Sequence, residues 1–464
     1  MQDSAVTVSR PPGPRPFPLL GHFPAMRRDV LGFFAACARD YGDVVGLRLG
    51  RNGALLVSAP RDIEQLLVRD HKNFSKQRFF WSQFTAVFGN GLLTSEGDLW
   101  LRQRRLAAPA FSGERLLGYG DAIVTAAGRM LEGWKDGEVR NVHADMMGLA
   151  LQIAARTLFG TDVEEDVADI EHALDLAMPE ITARVVRPIF IPDAVPLPGH
   201  IRYRRGLRTI ERLVARIIEE RRARPHETGD LIAMLLQSRD ENGAPMSDRQ
   251  LRDEVITNLL AGHETTALSL SWTLYLLGHH PDIDAELAAE IDAVVGDRPV
   301  TVEDLGNLVF TEKIMKESMR LYPPAWTIGR EALNDCVIGG YSVAKGTIIF
   351  LSQWVLHRDP RHFDDPTSFR PERWTTQFER ALPRFAYFPF GGGPRVCIGS
   401  RFAMMEAMLI VVTVRQRFRW VWSGDRPIRP IPSITLRPSG GVQVRLSAVS
   451  DQFGSRPNSG SSSR

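Results

Sequence analysis

Cys397 closes the run Phe388-Pro389-Phe390-Gly391-Gly392-Gly393-Pro394-Arg395-Val396-Cys397-Ile398-Gly399 and stands just before an apolar helical pattern at 400–418. A helix N-terminus offers free N–H groups and partial positive charge, which favour a thiolate and lower the pKa of a cysteine placed there. A thiolate is a soft metal ligand, and N–H donors behind it moderate its electron donation. The glycines would let the backbone approach a large flat ligand without a Cβ in the way, and Phe390 would keep water from the sulfur. Other chemistries compete for such a loop. A buried cysteine is often only a small core residue. A phosphate cradle needs Gly-Lys-Ser/Thr after its glycines, or a Gly-x-Gly-x-x-Gly turn between strand and helix, and neither is present. Zinc needs a second cysteine or histidine at ligand spacing, and none is nearby.

Ala261-Gly262-His263-Glu264-Thr265-Thr266 interrupts the long apolar pattern 248–279 with an acid and two hydroxyls. Glycine costs about 1 kcal/mol against alanine inside a helix, and a threonine hydroxyl can bond back to the preceding turn, so the segment is expected to open the helix into a groove. A two-histidine zinc helix is excluded because Ala267 stands at the second histidine position; a kink without chemistry is the alternative. Glu317 and Arg320, three apart on the pattern 304–322, share one helix face. Exposed, such a pair contributes little. Trp100 and Arg104 stand one helical turn apart, and arginine suits bidentate contact with a carboxylate.

Phe390-x-x-Gly393-x-Arg395-x-Cys397-x-Gly399, with Ala403 six residues after the cysteine, resembles the haem-binding signature of the cytochrome P-450 superfamily without a substitution. The remaining motifs are similar to that family's elements and in its order, from the proline run 11–16 before Leu19-Leu20-Gly21-His22 to the cysteine helix. The resemblance implies that Cys397 is the axial ligand of a haem b iron. It implies that Trp100, Arg104, Arg395 and Arg330 hold the propionates, with Ala261, Phe390 and Gly399 also at the haem. Pro371-Glu372-Arg373-Trp374 resembles the family's second arginine element, so Glu317, Arg320 and Arg373 would form a buried, fully paired network that positions the cysteine loop. Glu264 and Thr265 resemble the acid–alcohol pair, Thr265 stabilising the oxygen species and Glu264 relaying protons for O–O cleavage.

The implied activity is that of a haem-thiolate monooxygenase inserting one atom of O2 into a hydrophobic small molecule. No flavin or nicotinamide fingerprint is present, so NAD(P)H would serve only indirectly, through a ferredoxin or flavodoxin and its reductase. Docking is expected beside the cysteine loop, where Arg102, Arg105, Arg395 and Arg401 would concentrate positive charge. By family position the pocket segments are 78–88, 178–190, 259–265, 325–328 and 432–435. Their Phe80, Trp81, Phe88, Leu260, Ala325, Trp326, Ile328 and Ile434 suggest a terpenoid, steroid-like molecule or fatty acid. Arg78, Arg184 and Arg187 are candidates to hold a carboxylate, which would favour fatty acids, but each is expected at the surface. Two alternatives stay open: an isomerase, dehydratase or peroxygenase of the same fold, and a non-catalytic haem sensor or carrier. The first often lacks the Glu264–Thr265 pair, and the second has no use for Thr265.

The elements that must position these groups are mostly helices. Apolar periodicity predicts them at 210–224, 248–279, 281–295, 304–322 and 400–418. A hairpin is predicted from 44–49 and 54–58 around the turn 50–53, and a second strand region at 336–350. The expected class is mainly α with small β-sheets near the N-terminal side; the resemblance places the haem between the central and cysteine helices. A length of 464 residues would suggest three domains at about 150 residues each, but no repeat or linker divides the chain. One domain over 1–450 and a disordered tail at 451–464 are expected, since the tail's Ser, Gly, Asn and Arg cannot repay the entropy of ordering. Lys plus Arg number 57 against 55 acids, a net charge of +2, which gives no argument for nucleic acid. Three scattered cysteines, Cys37, Cys336 and Cys397, suit a reducing, cytoplasmic compartment. Polar residues 1–10 and the stiff 11–16 leave no apolar stretch for a signal peptide or transmembrane anchor. A monomer is expected.

Overall fold

The computed structural model describes residues 10–160, 167–186, 195–223, 230–239 and 243–449. Arg187, the rest of the pocket segment beyond 186, and the tail 451–464 lie outside the described residues. Within them, helices dominate, and the element that organises the rest is the central helix Asp248–Leu277. It starts where Ser247 accepts a hydrogen bond from the Gln250 N–H, satisfying one of the free donors of the first turn. Its second half, from Ala267 to Leu277, is apolar nearly all round, which suits a helix enclosed on every side. Val142–Phe159, Val309–Leu321 and the cysteine helix Ser400–Arg417 pack against it and share its core.

The main sheet has the strand order Val44–Leu49, Asn52–Val57, Ile348–Leu351, Ile328–Ala332, Phe74–Ser75. The hairpin turns at Gly50, whose φ of +59° suits a residue without a Cβ. Asn52–Val57 pairs in parallel with Ile348–Leu351 and so joins distant parts of the chain. The edge beyond carries Arg330 and leads into Lys76.

Boundaries differ from expectation where charge hides the pattern. The helix expected at 210–224 runs Pro198–Ala223, because its first turns carry Arg202, Arg204 and Arg205 around a face that buries His200, Tyr203 and Gly206. The helix expected from 304 begins at Val309. Val302–Gly306 is instead a 3-10 turn, locked by the reciprocal Thr301–Asp304 cap and by Arg298 on Asp304. The strand region 336–350 divides into the hairpin Cys336–Ile338 and Tyr341–Val343 and the sheet strand Ile348–Leu351. Among the described residues no helix is long and apolar enough to cross a membrane.

Candidate active site

The cysteine loop is folded back on itself: the Cys397 N–H donates to the Phe390 carbonyl at 2.9 Å. Gly393 has φ +67°, and a Cβ there would run into the Leu67 carbonyl; one on Gly392 would run into the Phe385 ring. Gly392 and Gly393 therefore fit the loop against the protein behind it. Cys397 is exposed although protein surrounds it closely, as a residue lining a recess would be. Burial pushes the thiol pKa up, with the Gly399 N–H and Arg104 pulling the other way. The helix terminus alone does not make a thiolate here, contrary to the sequence expectation, because desolvation outweighs it. A cation at the sulfur would, since a coordinating thiol is deprotonated outright.

Cations gather beside this loop, two of them half-buried and two buried. Arg104 donates to the Val396 carbonyl at 2.8 Å. Arg395 lies 4.3 Å over the Trp100 ring and pairs with Glu96. Arg330 is buried with its Nη1 on the Gly329 carbonyl at 3.0 Å. Lys76 is buried with its ammonium on the Leu93 carbonyl and 5.1 Å from the centre of the Trp81 ring. Burial, and then the charge of Arg395, push Arg330 down to about 10 and Lys76 well below its usual range; Glu96 opposes both shifts. Arg395, Arg330 and Lys76 thus exceed their single carboxylate, Glu96, among the described residues. A flat group carrying two carboxylates and a metal centre fits both the excess charge and the inward-facing sulfur. Lys76 and Glu96 were not singled out by the sequence reading; their signal is a charge set directly after a short strand and another directly before the Trp100 helix.

Two arginines expected on the docking face are turned away from it. Arg395 is engaged with Glu96 and Trp100, and Arg102 is half-buried with Nη1 on Gln250 Oε1 at 3.3 Å. Arg105 and Arg401 are exposed.

On the central helix, Ala261 is exposed although Leu259 and Ala267 on either side are buried. Thr265 Oγ1 donates back to the Ala261 carbonyl at 2.6 Å, as expected of a mid-helix threonine. The helix nevertheless stays continuous through the motif, which corrects the expectation that it opens. Glu264 Oε1 accepts from Arg437 Nε at 2.6 Å and from Thr435 Oγ1 at 2.7 Å. Burial works against its charge, yet Arg437 and these hydrogen bonds hold the carboxyl below its usual range. Glu264 rests as an ionised, anchored acceptor.

The cysteine helix supplies a second acid, Glu406, which the sequence reading missed; its signal is a lone acid in a buried apolar stretch. It is fully enclosed, neither oxygen has a well-placed partner, and burial raises its pKa to about 8 despite the nearby Thr266 hydroxyl. The folded protein keeps a proton that the unfolded chain, at 4.5, releases. Stability contributed by that proton is full below pH 4.5 and lost as pH rises toward about 8. Glu406→Gln is expected to remove this slope and to stabilise the protein by on the order of 3 kcal/mol in the alkaline range. Denaturant midpoints at about pH 5 and about pH 8 read it; parallel pH profiles for the two proteins would refute it.

Behind the loop, Glu317 and Arg320 are both fully buried and paired at 2.8 Å. Arg373 Nε reaches Glu317 Oε1 at 3.0 Å and the Trp374 indole N–H reaches Oε2 at 2.9 Å. Arg320 also donates to the carbonyls of His357, Pro366 and Ser368. His357, kept neutral by burial, accepts the Phe388 N–H at 3.0 Å and so ties this cluster to the start of the cysteine loop.

The Cytochrome P450 family profile matches residues 11–445. The chain belongs to the cytochrome P450 family. It is a haem-iron monooxygenase that uses O2. The chain is 36% identical over 425 residues, 91% of its length and 90% of the relative's, to cyclooctat-9-en-7-ol 5-monooxygenase of Streptomyces melanosporofaciens. It is 34% identical over 439 residues, 94% of its length and 96% of the relative's, to pentalenene oxygenase of Streptomyces avermitilis.

Within this cytochrome P450 the expected pocket residues divide. Phe80, Trp81, Leu260 and Ile434 meet in one apolar cluster that also takes in Ile398, next to the cysteine. Phe80 and Trp81 pack in tilted pairs against Phe84 at 4.8 and 5.6 Å between ring centres, and Phe84 likewise against the buried Phe88 at 6.3 Å. Ile328 sits by Gly391 in the loop, and Ala325 is half-buried. Trp326 departs from expectation: buried beside Phe34, with its indole N–H on the Ser433 carbonyl at 2.9 Å, it is a core residue that clamps two segments together. Arg78 is bound to Glu331 through both its side chain and its backbone N–H, and Arg184 is held by Glu180 and the Tyr203 ring.

Proposed function

We propose that this P450 hydroxylates a neutral, cyclic terpenoid, with haem b held by Cys397 at the sulfur and by Arg104, Arg330, Arg395 and Trp100 at the edge. The observation that carries the reading is that Cys397 and Ala261 are both exposed while their elements are otherwise largely enclosed, as residues lining a common cleft would be. When bound there, haem supplies oxygen activation supported by electron donation from the thiolate. The chain's own residues position, desolvate and deliver protons. Thr265 holds its hydroxyl at the cleft; Glu264 Oε1 is fixed by Arg437 and Thr435, leaving Oε2 to take and pass a proton. Glu317, Arg320 and Arg373 hold the loop beneath.

Neutral substrate chemistry follows from the cations. Arg78 and Arg184, the described candidates for gripping a carboxylate, already have carboxylate partners. The wall formed by Phe80, Trp81, Leu260 and Ile434 offers apolar and aromatic surface. The names of the two Streptomyces relatives point to cyclic terpenoids as well. Electrons come from a separate ferredoxin-type donor drawing on NAD(P)H through its reductase, with exposed Arg105 and Arg401 beside the loop to meet it. The free thiols fit a cytoplasmic setting.

Titrating the haem-loaded enzyme with cyclic terpenes, terpene alcohols and fatty acids of similar size tests the substrate class. Terpenoids are expected to shift the iron spin state and to acquire one oxygen atom from labelled O2; a response to fatty acids alone would reverse the assignment. Thr265→Ala is expected to keep haem and substrate binding while product per electron falls by about tenfold or more and peroxide appears. Unchanged coupling would remove Thr265 from the oxygen chemistry.

A further inference from the structure

The chain near residue 20 makes a small closed loop. Phe17 and Gly21 exchange backbone hydrogen bonds at 3.0 and 2.9 Å, and Gly21 in turn bridges to Leu49. A Cβ on Gly21 would run into the Arg48 carbonyl, His22 N–H donates to that same carbonyl at 2.7 Å, and His22 Nδ1 accepts the Arg48 N–H at 2.9 Å. The base of the loop is therefore rigid. Its tip is apolar and faces solvent: Phe17 is 56% exposed, Leu19 92% and Leu20 48%. Leu19 has φ +61°, and the Leu20 N–H bonds to the Pro18 carbonyl at 2.7 Å. That is the rare, strained form of γ-turn, which a leucine adopts only against a steric cost. Strain and full exposure in one large apolar side chain gain nothing for the fold.

The stretches of chain that flank the tip in sequence are rich in arginine. Residues 10–28 hold four arginines and no acid, and residues 44–61 hold three arginines and no acid. Arg15, Arg27, Arg28, Arg48 and Arg51 are exposed. We propose that the Phe17–Leu20 turn is a docking tip for an anionic lipid surface, its apolar side chains entering the headgroup boundary while the arginines meet the phosphates. A protein partner needs a broad complementary face of several hundred Å2; an exposed tip of three apolar residues on an arginine-rich stretch of chain has the character and charge of a bilayer-interface contact instead. Held there, the enzyme would draw a hydrophobic substrate from the phase in which it dissolves. This inference stands apart from the reading of the haem cleft.

The test is co-sedimentation of the haem-loaded full chain with vesicles of phosphatidylcholine alone or mixed with phosphatidylglycerol. Binding is expected to the mixed vesicles, weakened by salt, and not to the neutral ones. Leu19→Gly removes the apolar tip and relieves the positive φ, so the fold is kept while binding falls by about tenfold or more. Arg15→Gln with Arg51→Gln is expected to lower binding to mixed vesicles by about tenfold at unchanged haem content. No binding, equal binding to neutral vesicles, or full binding by Leu19→Gly would overturn the proposal. A dimer that dissolves in Leu19→Gly while vesicle binding persists would overturn it too, assigning the tip to a second copy of the chain.

Discussion

Glu317→Gln is expected to cost about 3–5 kcal/mol and to leave little haem-loaded protein. Five donors converge on the two oxygens of Glu317: Nε and Nη2 of Arg320, Nε of Arg373, the Trp374 indole N–H and the Arg370 backbone N–H. Glutamine keeps the shape, but it removes the charge that balances two buried guanidiniums and turns an N–H toward donors. Against a typical total stability of about 5–15 kcal/mol, such a loss brings the chain close to unfolding. The effect also has a direction. Arg320 braces the His357 carbonyl, and His357 accepts the Phe388 N–H nine residues before Cys397. Loosening the pair therefore frees the loop that carries the sulfur. The readouts are the haem-to-protein ratio and the denaturant midpoint; a variant with wild-type values of both would show that the network does not hold this loop. Arg320→Lys extends the test, since it keeps a charge but cannot reach Glu317 and three carbonyls together.

The Glu317–Arg320 pairing was legible because helical spacing puts i and i+3 side by side, while its burial was implied only by the resemblance of Pro371-Glu372-Arg373-Trp374 to the family's second arginine element. Its anchors on His357, Pro366 and Ser368 were not, since a backbone carbonyl leaves no trace in residue identity. The cysteine loop shows the same division. Position before a helix can be read locally, and it suggested a lowered thiol pKa; desolvation belongs to the folded surroundings and reversed the sign. The glycines were correctly marked as sites that exclude a Cβ, but the obstacle is Leu67 and Phe385, from distant turns. Periodicity likewise cannot say which charged residues turn inward. Lys76, Glu406 and Arg437 carry no local mark of burial, and Arg395 was assigned to two places at once. The structure puts it inside with Glu96 and Trp100. Trp326 failed for a related reason: an aromatic near a cleft reads the same whether its face lines the cleft or its indole N–H bridges to Ser433 behind it.

Cys397→Ser is the substitution expected to change the chemistry most while sparing the fold. The side chain keeps its size, the Cys397 N–H bond to Phe390 is made by backbone, and the Glu317 cluster is untouched. Arg330, Arg395 and Lys76 still stand together with only Glu96 among their described neighbours to balance them, so on the proposed reading haem is expected to enter and stay. What is lost is the soft anionic ligand. A serine hydroxyl ionises far less readily than a thiol, and an oxygen donor gives the iron much less electron density. The reduced carbon monoxide complex should therefore lose its thiolate-type spectrum and hydroxylation should fall to background, with haem content within about twofold of wild type. Retention of the thiolate-type spectrum would mean another residue holds the iron, and the assignment of Cys397 would fall. The two variants separate two causes of inactivity. Glu317→Gln should fail by losing haem and stability together, whereas Cys397→Ser should fail with both nearly intact, because one removes the support of the loop and the other only the atom the loop presents.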